Sequence, residues 1–331
     1  MSELIDQLTS LTRLRDGDGL DTAMAHLALD LVQARRVGVH RLVFDHGAQR
    51  WLTTALADEP GRRARAALPG AGWQRDECPL WLGCLEQQQP RVLGGPVHGL
   101  LHPLAALSEP SAGVIEIHTE GPPTPEQQRL IGSLMRFYRQ LRDLIDENER
   151  DSLTGLLNRK SFDETFVRAA QGAPMPGMLP GPGAWWLGLV DIDHFKRVND
   201  VFGHLIGDEV LLLVAQLMRR SFGFSDRLYR FGGEEFIVLL RAADEPQARD
   251  AFDRFRLEIE AHEFPQVQHL TVSIGYTAVD GDDTPSSAFA RADAAVYAAK
   301  QAGRNRIVAH GDEVTEDAAK PAPVFGAVEF F

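Results

Sequence analysis

Cysteine is scarce in this sequence, with two residues, Cys78 and Cys84, among 331. Two cysteines make no disulfide framework, so a disulfide-stabilised secreted domain is excluded and a reducing compartment is indicated. His98 and His102 follow nearby and leave a zinc site as one alternative, but the gap between the cysteines exceeds the usual spacing of about two to four residues between zinc ligands. We therefore expect two ordinary buried or partly buried cysteines.

Long apolar runs are missing as well. No segment reaches the roughly 18 uninterrupted apolar residues of a membrane-spanning helix, and the start, MSELIDQLTS, lacks the basic region and apolar run of a secretion signal. We therefore expect a cytoplasmic protein that does not enter a membrane. Against 34 Lys and Arg stand 47 Asp and Glu, and the net charge of -13 disfavours nonspecific binding to nucleic acid or to an anionic membrane.

Residues 1–123 combine helical and strand patterns, and we assign them to one domain. A helix is predicted over Leu20–Ala34, and β-rich segments separated by turn residues follow it. These segments are Val37–Asp45, Trp51–Ala57, Gly99–Leu107 and Ala112–Thr119. The pattern indicates a sheet flanked by helices.

A long connecting helix is predicted over residues 124–150. It follows a segment rich in helix breakers, with Thr124 as its N-cap and Pro125 in its first turn. Its apolar residues are spaced alternately four and three apart, at Leu130, Leu134, Phe137, Leu141 and Leu144, and the next position of the series is Asn148. Such a heptad seam with one polar position favours a parallel two-stranded coiled coil and hence a homodimer. The alternative is a helix that packs on its own domain, because the seam is short.

A second domain is predicted over residues 151–310. Within it, Gly172–Gly183 has eight Gly or Pro residues in twelve, which predicts a loop. The tail, residues 311–331, is polar and contains proline before its apolar end, so we expect it to be mostly disordered.

Carboxylates are concentrated at two places in this second domain. The apolar run Trp185–Asp193 is typical of a buried strand and ends in Asp191 and Asp193, spaced so that both lie on one face. The segment RFGGEEF, Arg230–Phe236, is a poor ordinary turn, because preferred hairpin turns have no use for adjacent acids. Mg²⁺ is held by carboxylates together with substrate phosphates, and glycines let a phosphate approach the backbone. These residues predict a metal–triphosphate site.

Cationic and amide side chains accompany these acids. Lys196 follows the strand end, and Lys300 and Arg304, four apart near a predicted helix end, should share one helical face. Each of these cations alone would be a solvated charge, but together with the acids they indicate phosphate contacts. Asn199 and Asp208 could hydrogen-bond a guanine edge. Asp208 also has the simpler alternative of capping the helix that follows it.

Six segments of the second domain follow one another in a definite order. They are Asp151–Arg159 (DSLTGLLNR), Asp191–Asp200 (DIDHFKRVND), Phe202–Asp208 (FGHLIGD), Arg230–Phe236 (RFGGEEF), Ser273–Gly275 (SIG) and Asp293–Arg306 (DAAVYAAKQAGRNR). In this order they resemble the motif series of GGDEF-domain diguanylate cyclases, over about 160 residues. The resemblance implies an α/β (α+β) domain, similar to nucleotide cyclases, with a central, mainly antiparallel sheet flanked by helices. It also implies an enzyme that condenses two GTP into cyclic di-GMP and two pyrophosphates.

The resemblance implies roles for single residues. The ligands of the metal, Mg²⁺ or Mn²⁺, would be Asp191, the carbonyl of Ile192, Glu234 and Glu235. Glu234 also matches the residue that accepts the proton of the attacking 3′-hydroxyl, and Lys196 matches a phosphate contact in the transition state, so these two are the candidate catalytic residues. The residues matched to substrate binding are Asn199 and Asp208 at the guanine, Lys300 and Arg304 at the phosphates, and Phe195, His204, Gly232 and Gly233. Asp193 fits the pattern without an assigned role.

Each such domain would hold one GTP, so two copies must face each other, and the homodimer would be aligned by the first domain and the helix 124–150.

Two positions refine the resemblance. Gly223 replaces the Arg of the Arg-x-x-Asp product-inhibition site while Asp226 is retained, which implies weak or absent feedback inhibition. Asp208 stands where relatives that make a mixed GMP-AMP product have a small hydroxyl residue, which implies use of GTP alone.

The order of sheet and helix in residues 1–123 is similar to that of GAF sensory domains. We expect no cofactor there and a small-molecule or protein signal of unknown identity, with a domain that only dimerises as the alternative. For the second domain, the alternative is a catalytically inactive GGDEF module that binds GTP or a protein partner. The intact acids Asp191, Glu234 and Glu235 favour the enzyme.

Overall fold

The computed structural model describes residues 11, 14, 17–45, 47–58, 65–66, 73–95, 97–105, 112–172 and 183–312. The chain divides into two compact units, the first ending at Gly155 and the second beginning at Leu156. The first unit takes in the connecting helix together with the region predicted as the first domain. Most of the predicted loop, from residue 173 to 182, and the predicted disordered tail from residue 313 lie outside the described residues.

The first unit contains one antiparallel sheet and three α-helices in its described part. Its elements are α1 (Gly17–Val32), β1 (Arg36–Asp45), β2 (Ala48–Asp58), β3 (Arg65–Ala66), β4 (Trp73–Gln74), a 3₁₀ turn (Arg75–Glu77), α2 (Pro79–Gln87), β5 (Arg91–Leu93), β6 (His98–Ala105), β7 (Gly113–Thr119) and α3 (Pro125–Glu149). The strand order is β3-β2-β1-β7-β6-β5, with β4 paired to β2. Every described pair is antiparallel.

Apolar side chains are buried on both faces of this sheet. On one face, Val37 and Ile115 belong to a cluster with side chains of α1 and α3. On the other face, a smaller cluster around Trp51 and Leu101 is joined by Leu85 of α2. This is the sheet flanked by helices that the sequence predicts.

The connecting helix α3 begins as predicted. Thr124 is its N-cap and accepts a hydrogen bond from the amide of Gln127 at 3.2 Å, while the Gln127 side chain accepts one from the Thr124 amide at 2.9 Å. Pro125 follows in the first turn. Two amides that the first turn leaves unpaired are thereby satisfied.

The apolar seam of α3 is divided between its own unit and the surface. Leu134 is buried in the core of the first unit, and Phe137 and Leu141 pack against that core. Leu130 and Leu144 are exposed, Leu144 by 56%. Along the middle of the seam the helix therefore packs on its own unit, which is the alternative that the sequence left open. The homodimer remains a prediction.

A buried ionic cluster joins α3 to the rest of the first unit. The Asp21 carboxylate, 1% exposed, accepts hydrogen bonds from Arg41 at 2.5 and 2.9 Å, from Tyr138 at 2.5 Å and from Thr54 at 2.9 Å. Burial alone would raise the pKa of Asp21, but the charge of Arg41 and the hydrogen bonds hold it below its usual value. Asp21 lies on α1, Arg41 on β1 and Tyr138 on α3. Thr54 lies on β2, so one carboxylate ties four elements together.

The candidate zinc ligands of the first unit have other surroundings. Cys84 is buried and donates its thiol to the carbonyls of Gln89, at 3.3 Å, and Leu101, at 3.7 Å. Burial lowers the imidazole pKa of His102 to about 4. In the described part of the chain no three His, Cys, Asp or Glu side chains are grouped so as to hold a metal ion.

The second unit is an α+β domain. Its elements are β8 (Leu157–Asn158), α4 (Arg159–Ala170), β9 (Ala184–Ile192), α5 (Phe195–Phe202), α6 (His204–Ser221), β10 (Arg227–Gly232), β11 (Glu235–Ala242), α7 (Glu245–Ala261), β12 (Val272–Ala278), α8 (Pro285–Gln301) and β13 (Ile307–Ala309). The strand order is β13-β12-β9-β11-β10-β8, and only the outer pairs, β12 with β13 and β10 with β8, are parallel among the described strands. The predicted mainly antiparallel sheet with flanking helices is confirmed. Across the described residues of both units, no helix combines the length and apolar character needed to span a bilayer.

Replacing Asp21 by Ala should destabilise the first unit, because Arg41 is then buried without its charge partner. Breaking a buried pair in this way lowers the free energy of unfolding by about 3–5 kcal/mol. The matched control is Asp143→Ala, which removes an exposed carboxylate of α3 and should change that free energy by less than about 0.5 kcal/mol. Urea denaturation of the full chain, followed by hydrogen exchange in peptides from residues 112–149, measures both variants. Equal losses in the two would contradict this role of Asp21.

Candidate active site

The predicted hairpin forms a tight turn between β10 and β11. Gly232 and Gly233 have φ angles of 148° and 51°, a conformation that glycine adopts without strain. The space that a Cβ would occupy on either residue is open. The Arg230 guanidinium closes the turn by donating to the carbonyl of Gly233 at 3.0 and 3.3 Å. Glu234 and Glu235 follow directly, so two acids stand beside an open stretch of backbone.

Asp191 lies at the end of the central strand β9. In the register of the sheet it stands between Glu235 of β11 and Ser273 of β12. Lys300 of α8 forms an ion pair with it at 2.7 Å. A Cβ on Gly275 of β12 would overlap the backbone of α8. Helix α8 can therefore lie directly on β12 only because this residue has no side chain. Three distant stretches of sequence therefore meet at one carboxylate.

Burial raises the pKa of four carboxyl groups around Lys300, and repulsion by neighbouring acids adds to the effect at three of them. Burial raises the pKa of Asp191 and of Asp293. It also raises the pKa of Glu234 and Glu235, and in both cases the charge of Asp191 adds to the effect. The positive charge of Lys300 lowers the pKa of all four carboxyl groups. The unbalanced negative charge makes this region one where a cation is favoured.

The donor set suits a divalent cation. Ionised carboxylates only accept, and Mg²⁺ and Mn²⁺ prefer such oxygens. Among the residues that the structure describes, no three acids are grouped closely enough to hold a metal ion, and Asp191 is paired with Lys300. Ile192 is buried beside Val272 of β12. The acids fit a metal ion by their chemistry, and Asp191, Glu234 and Glu235 are the side chains that could hold one.

Two of the predicted substrate contacts lie where α5 packs on α6. Helix α5 begins at Phe195, after the left-handed residue His194 with φ 59°, and ends before Gly203. A Cβ on Gly207 of α6 would overlap the side-chain oxygen of Asn199 and touch the ring of Phe195. Gly207 therefore makes room for the half-buried Asn199 between the two helices.

The other predicted contacts on these helices are exposed. Lys196, His204 and Asp208 face solvent, and within the described part of the chain no hydrogen bond or ion pair joins them to the acids of the hairpin. Helix α6 begins at His204 with Gly203 as its N-cap, so Asp208 lies in the second turn. The alternative that Asp208 caps this helix is therefore wrong, because a cap bonds the amides of the first turn.

The shared helical face predicted for Lys300 and Arg304 is also wrong. Helix α8 ends at Gln301, one residue after Lys300. Arg304 lies beyond that end, with a left-handed φ of 63° after Gly303 at 111°. A glycine with such a φ ends a helix, so spacing by four no longer places the two side chains on one face.

Sequence reasoning missed Asp293 and the surroundings of Asp193. Asp293 lies on α8 before Lys300, and its charge helps to raise the pKa of Glu235; its place as the first residue of the last motif was the available signal. Asp193, just beyond β9, accepts hydrogen bonds from the hydroxyls of Thr271 and Ser273, both at 2.7 Å. Its side chain is engaged by the protein itself.

Comparison with known proteins bears on the second unit. Residues 148–306 match the family model described as diguanylate cyclase, GGDEF domain. Diguanylate cyclase DgcP of Pseudomonas aeruginosa is 40% identical over 174 residues, which are 52% of this chain and 25% of that protein. Response regulator PleD of Caulobacter vibrioides is 35% identical over 187 residues, 52% of this chain and 39% of that protein. The chain therefore spans well under half the length of these relatives.

A crystal structure of the coiled coil and GGDEF domain of DgcB from Caulobacter crescentus, in complex with c-di-GMP, is 30% identical with a TM-score of 0.47. The alignment covers 56% of this chain and 100% of that one.

Replacing Glu234 by Gln should stabilise the metal-free second unit, because one charge leaves a crowded set of acids. The expected gain in the free energy of unfolding is about 0.2–1 kcal/mol, the scale of partly exposed charge interactions. Glu263→Gln removes an exposed carboxylate of the same unit and is the matched control. Thermal unfolding in the presence of a chelator measures both variants. A Glu234→Gln protein less stable than the control would refute the repulsion.

Proposed function

We propose that this protein, whose residues 148–306 are a GGDEF domain, condenses two GTP molecules into cyclic di-GMP and two pyrophosphates. The observation that carries the proposal is the meeting of Asp191, Glu235 and Lys300 beside the open turn at Gly232 and Gly233. Curated relatives named diguanylate cyclase DgcP and probable diguanylate cyclase DgcT support it.

The acids would hold one or two divalent metal ions, Mg²⁺ or Mn²⁺, through Asp191, Glu234, Glu235 and the carbonyl of Ile192. When bound, the metal supplies charge that makes the 3′-hydroxyl more acidic and neutralises the α-phosphate. Glu234 is only partly buried and its pKa is raised. It would accept the proton of the 3′-hydroxyl, and a raised pKa makes a carboxylate a better proton acceptor.

The triphosphate would lie along the glycine turn. Gly232 and Gly233 leave open the space in which a side chain would stand, so a phosphate can approach their amides. Lys300 is already at Asp191 with about a third of its side chain exposed, and Arg304 and Lys196 are exposed. These cations would bind the phosphate oxygens and stabilise the charge that develops as pyrophosphate leaves.

The guanine would lie at the junction of α5 and α6. The amide of Asn199 and the carboxylate of Asp208 provide an acceptor and donor set that fits the guanine edge, and Gly207 leaves room beside Asn199. Phe195 and His204 would line the same region. Retention of a carboxylate at 208 supports use of GTP rather than ATP, since guanine presents N1–H and N2–H side by side to a carboxylate, whereas N1 of adenine is an acceptor.

One domain would bind only one of the two GTP molecules that react. The 3′-oxygen of each GTP must form a bond to the α-phosphorus of the other while the bond to pyrophosphate breaks, so two copies of the domain must face each other. The protein would act as a homodimer. The exposed residues Leu130 and Leu144 of α3 are available for contact with a second copy.

The first unit would act as a GAF-like sensory domain that regulates the second. The strand order β2-β1-β7-β6-β5, with α1 and α3 packed on one face, supports this assignment. Its signal would be a small molecule or a protein.

A catalytically inactive module that binds GTP is the second candidate. The pairing of Lys300 with Asp191 favours it, because that carboxylate would have to change partners to bind a metal. Incubation with GTP and Mg²⁺ or Mn²⁺ followed by nucleotide chromatography separates the two candidates. We expect cyclic di-GMP from the wild type and from Glu263→Ala, and a rate lower by about 100-fold or more in folded Glu234→Ala. Absence of product at every protein concentration would defeat the enzyme proposal.

Product inhibition should be weak. The Asp226 carboxylate is buried and accepts from the backbone amides of Gly223, at 2.8 Å, and Arg241, at 3.2 Å. Gly223 offers no guanidinium to a bound dinucleotide. Initial rates measured with added cyclic di-GMP should stay within about twofold of the rate without it. Tight inhibition that survives in Asp226→Ala would show that another site binds the product.

A further inference from the structure

Three consecutive residues after α8 have a left-handed backbone. Their φ angles are 111° at Gly303, 63° at Arg304 and 48° at Asn305. Glycine adopts such angles freely and asparagine tolerates them, but for arginine they are unfavourable. A run of this kind persists only where the surrounding structure holds it in place.

The inner side of this turn is held by Asp193. Its carboxylate, 5% exposed, accepts a hydrogen bond from the amide of Asn305 at 3.1 Å. The same carboxylate is fixed by the hydroxyls of Thr271 and Ser273, each at 2.7 Å, and the Asp193 amide donates to the carbonyl of Thr271 at 2.9 Å. Asp193 therefore connects the end of β9, the start of β12 and the turn.

The outer side is held through the Asn305 side chain by α7. The Arg256 guanidinium donates to the Asn305 side-chain oxygen at 2.9 Å, and the Asn305 amide group donates to Glu260 at 2.7 Å. Arg256 is itself fixed by Glu260 at 2.9 Å and Asp253 at 2.7 Å. Both ends of the Asn305 side chain are thus satisfied on one helix.

Arg304 lies between these attachments. Its amide donates to the carbonyl of Ala299 at 3.0 Å, and its exposed guanidinium makes no hydrogen bond or ion pair within the described residues. The backbone alone therefore sets where this side chain starts. The same helix end carries Lys300 to Asp191.

We propose that Asp193 and Asn305 are positioning residues for Arg304, and that they hold its guanidinium for the phosphates of GTP. The inference rests on the proposed function and gives the second Asp of the Asp191–Asp193 pair a role distinct from metal binding. Asp193 accepts with both carboxylate oxygens, whereas an amide at this position presents one acceptor and one donor and carries no charge, so charge-assisted bonds become weaker neutral ones.

The test is a double-mutant cycle on nucleotide affinity. The probe is 3′-deoxy-GTP, which keeps the triphosphate but has no attacking hydroxyl, so binding is measured without turnover. Isothermal titration with Mg²⁺ compares the wild type, Asp193→Asn, Arg304→Ala and the double variant. Asp193→Asn should weaken binding by about 10-fold in the wild-type background and by less than about twofold when Arg304 is already Ala.

Two controls separate positioning from general damage to the fold. The monophosphate 3′-deoxy-GMP lacks the outer phosphates, so its affinity should be the same in the wild type and in Asp193→Asn. Asp244→Asn removes a carboxylate that caps α7 and should leave both affinities unchanged. If Asp193→Asn does not fold, Asn305→Ala takes its place in the cycle, because it removes only the outer attachment.

An equal loss of affinity in both Arg304 backgrounds, or an equal loss for triphosphate and monophosphate, would overturn the inference. A wild-type protein that does not bind 3′-deoxy-GTP would overturn it as well. If the wild type binds 3′-deoxy-GTP but forms no cyclic di-GMP from GTP, the proposed activity is refuted. The double-mutant cycle then still tests whether Asp193 positions Arg304.

Discussion

The ion pair between Lys300 and Asp191 is the interaction on which the second unit's site depends. It joins the end of α8 to the end of the central strand, in a place where burial raises the pKa of four carboxyl groups and neighbouring acids add to this at three of them. One ammonium group cannot balance four acids. The folded chain therefore keeps a set of charges that is unfavourable by itself and becomes favourable when further cations arrive, which is common where stability is given up for function.

The first unit also buries a carboxylate, Asp21, but the pKa of this group is lowered rather than raised. Asp21 is more deeply buried than Asp191, but Arg41, Tyr138 and Thr54 satisfy it completely, and its pKa lies below the usual value. A carboxylate with all its partners inside the protein holds elements together and has little left for a ligand. Asp21 and Asp191 are both buried, and they differ in whether their partners inside the protein suffice to lower the carboxyl pKa.

Local sequence patterns predicted the N-cap of α3, the sheet of the first unit and the acids of the hairpin, whereas the sheet of the second unit was predicted from the family resemblance. The wrong and missing predictions concern side chains whose position depends on a remote contact or on a single backbone angle. Gly303 ends α8 and removes Arg304 from the helical face that spacing by four suggested. The role of Asp193 depends on Thr271, Ser273 and Asn305, which lie about 80 to 110 residues away in the sequence and carry no local signal. The heptad seam of α3 is real as a pattern, but its own unit buries its middle.

The short strand β8 lies where the chain enters the second unit. The chain enters this unit at Leu156, and the next two residues pair with Tyr229 and Arg230 of β10, the strand that leads into the glycine turn. Asn158 is fixed further, because its side chain accepts from the amide of Ser161 in α4 at 3.1 Å. A twist or pull applied to the polypeptide at its point of entry therefore reaches the hairpin through a two-residue ladder. The point at which the chain enters this unit is thus hydrogen-bonded to the strand that carries the turn at Gly232 and Gly233.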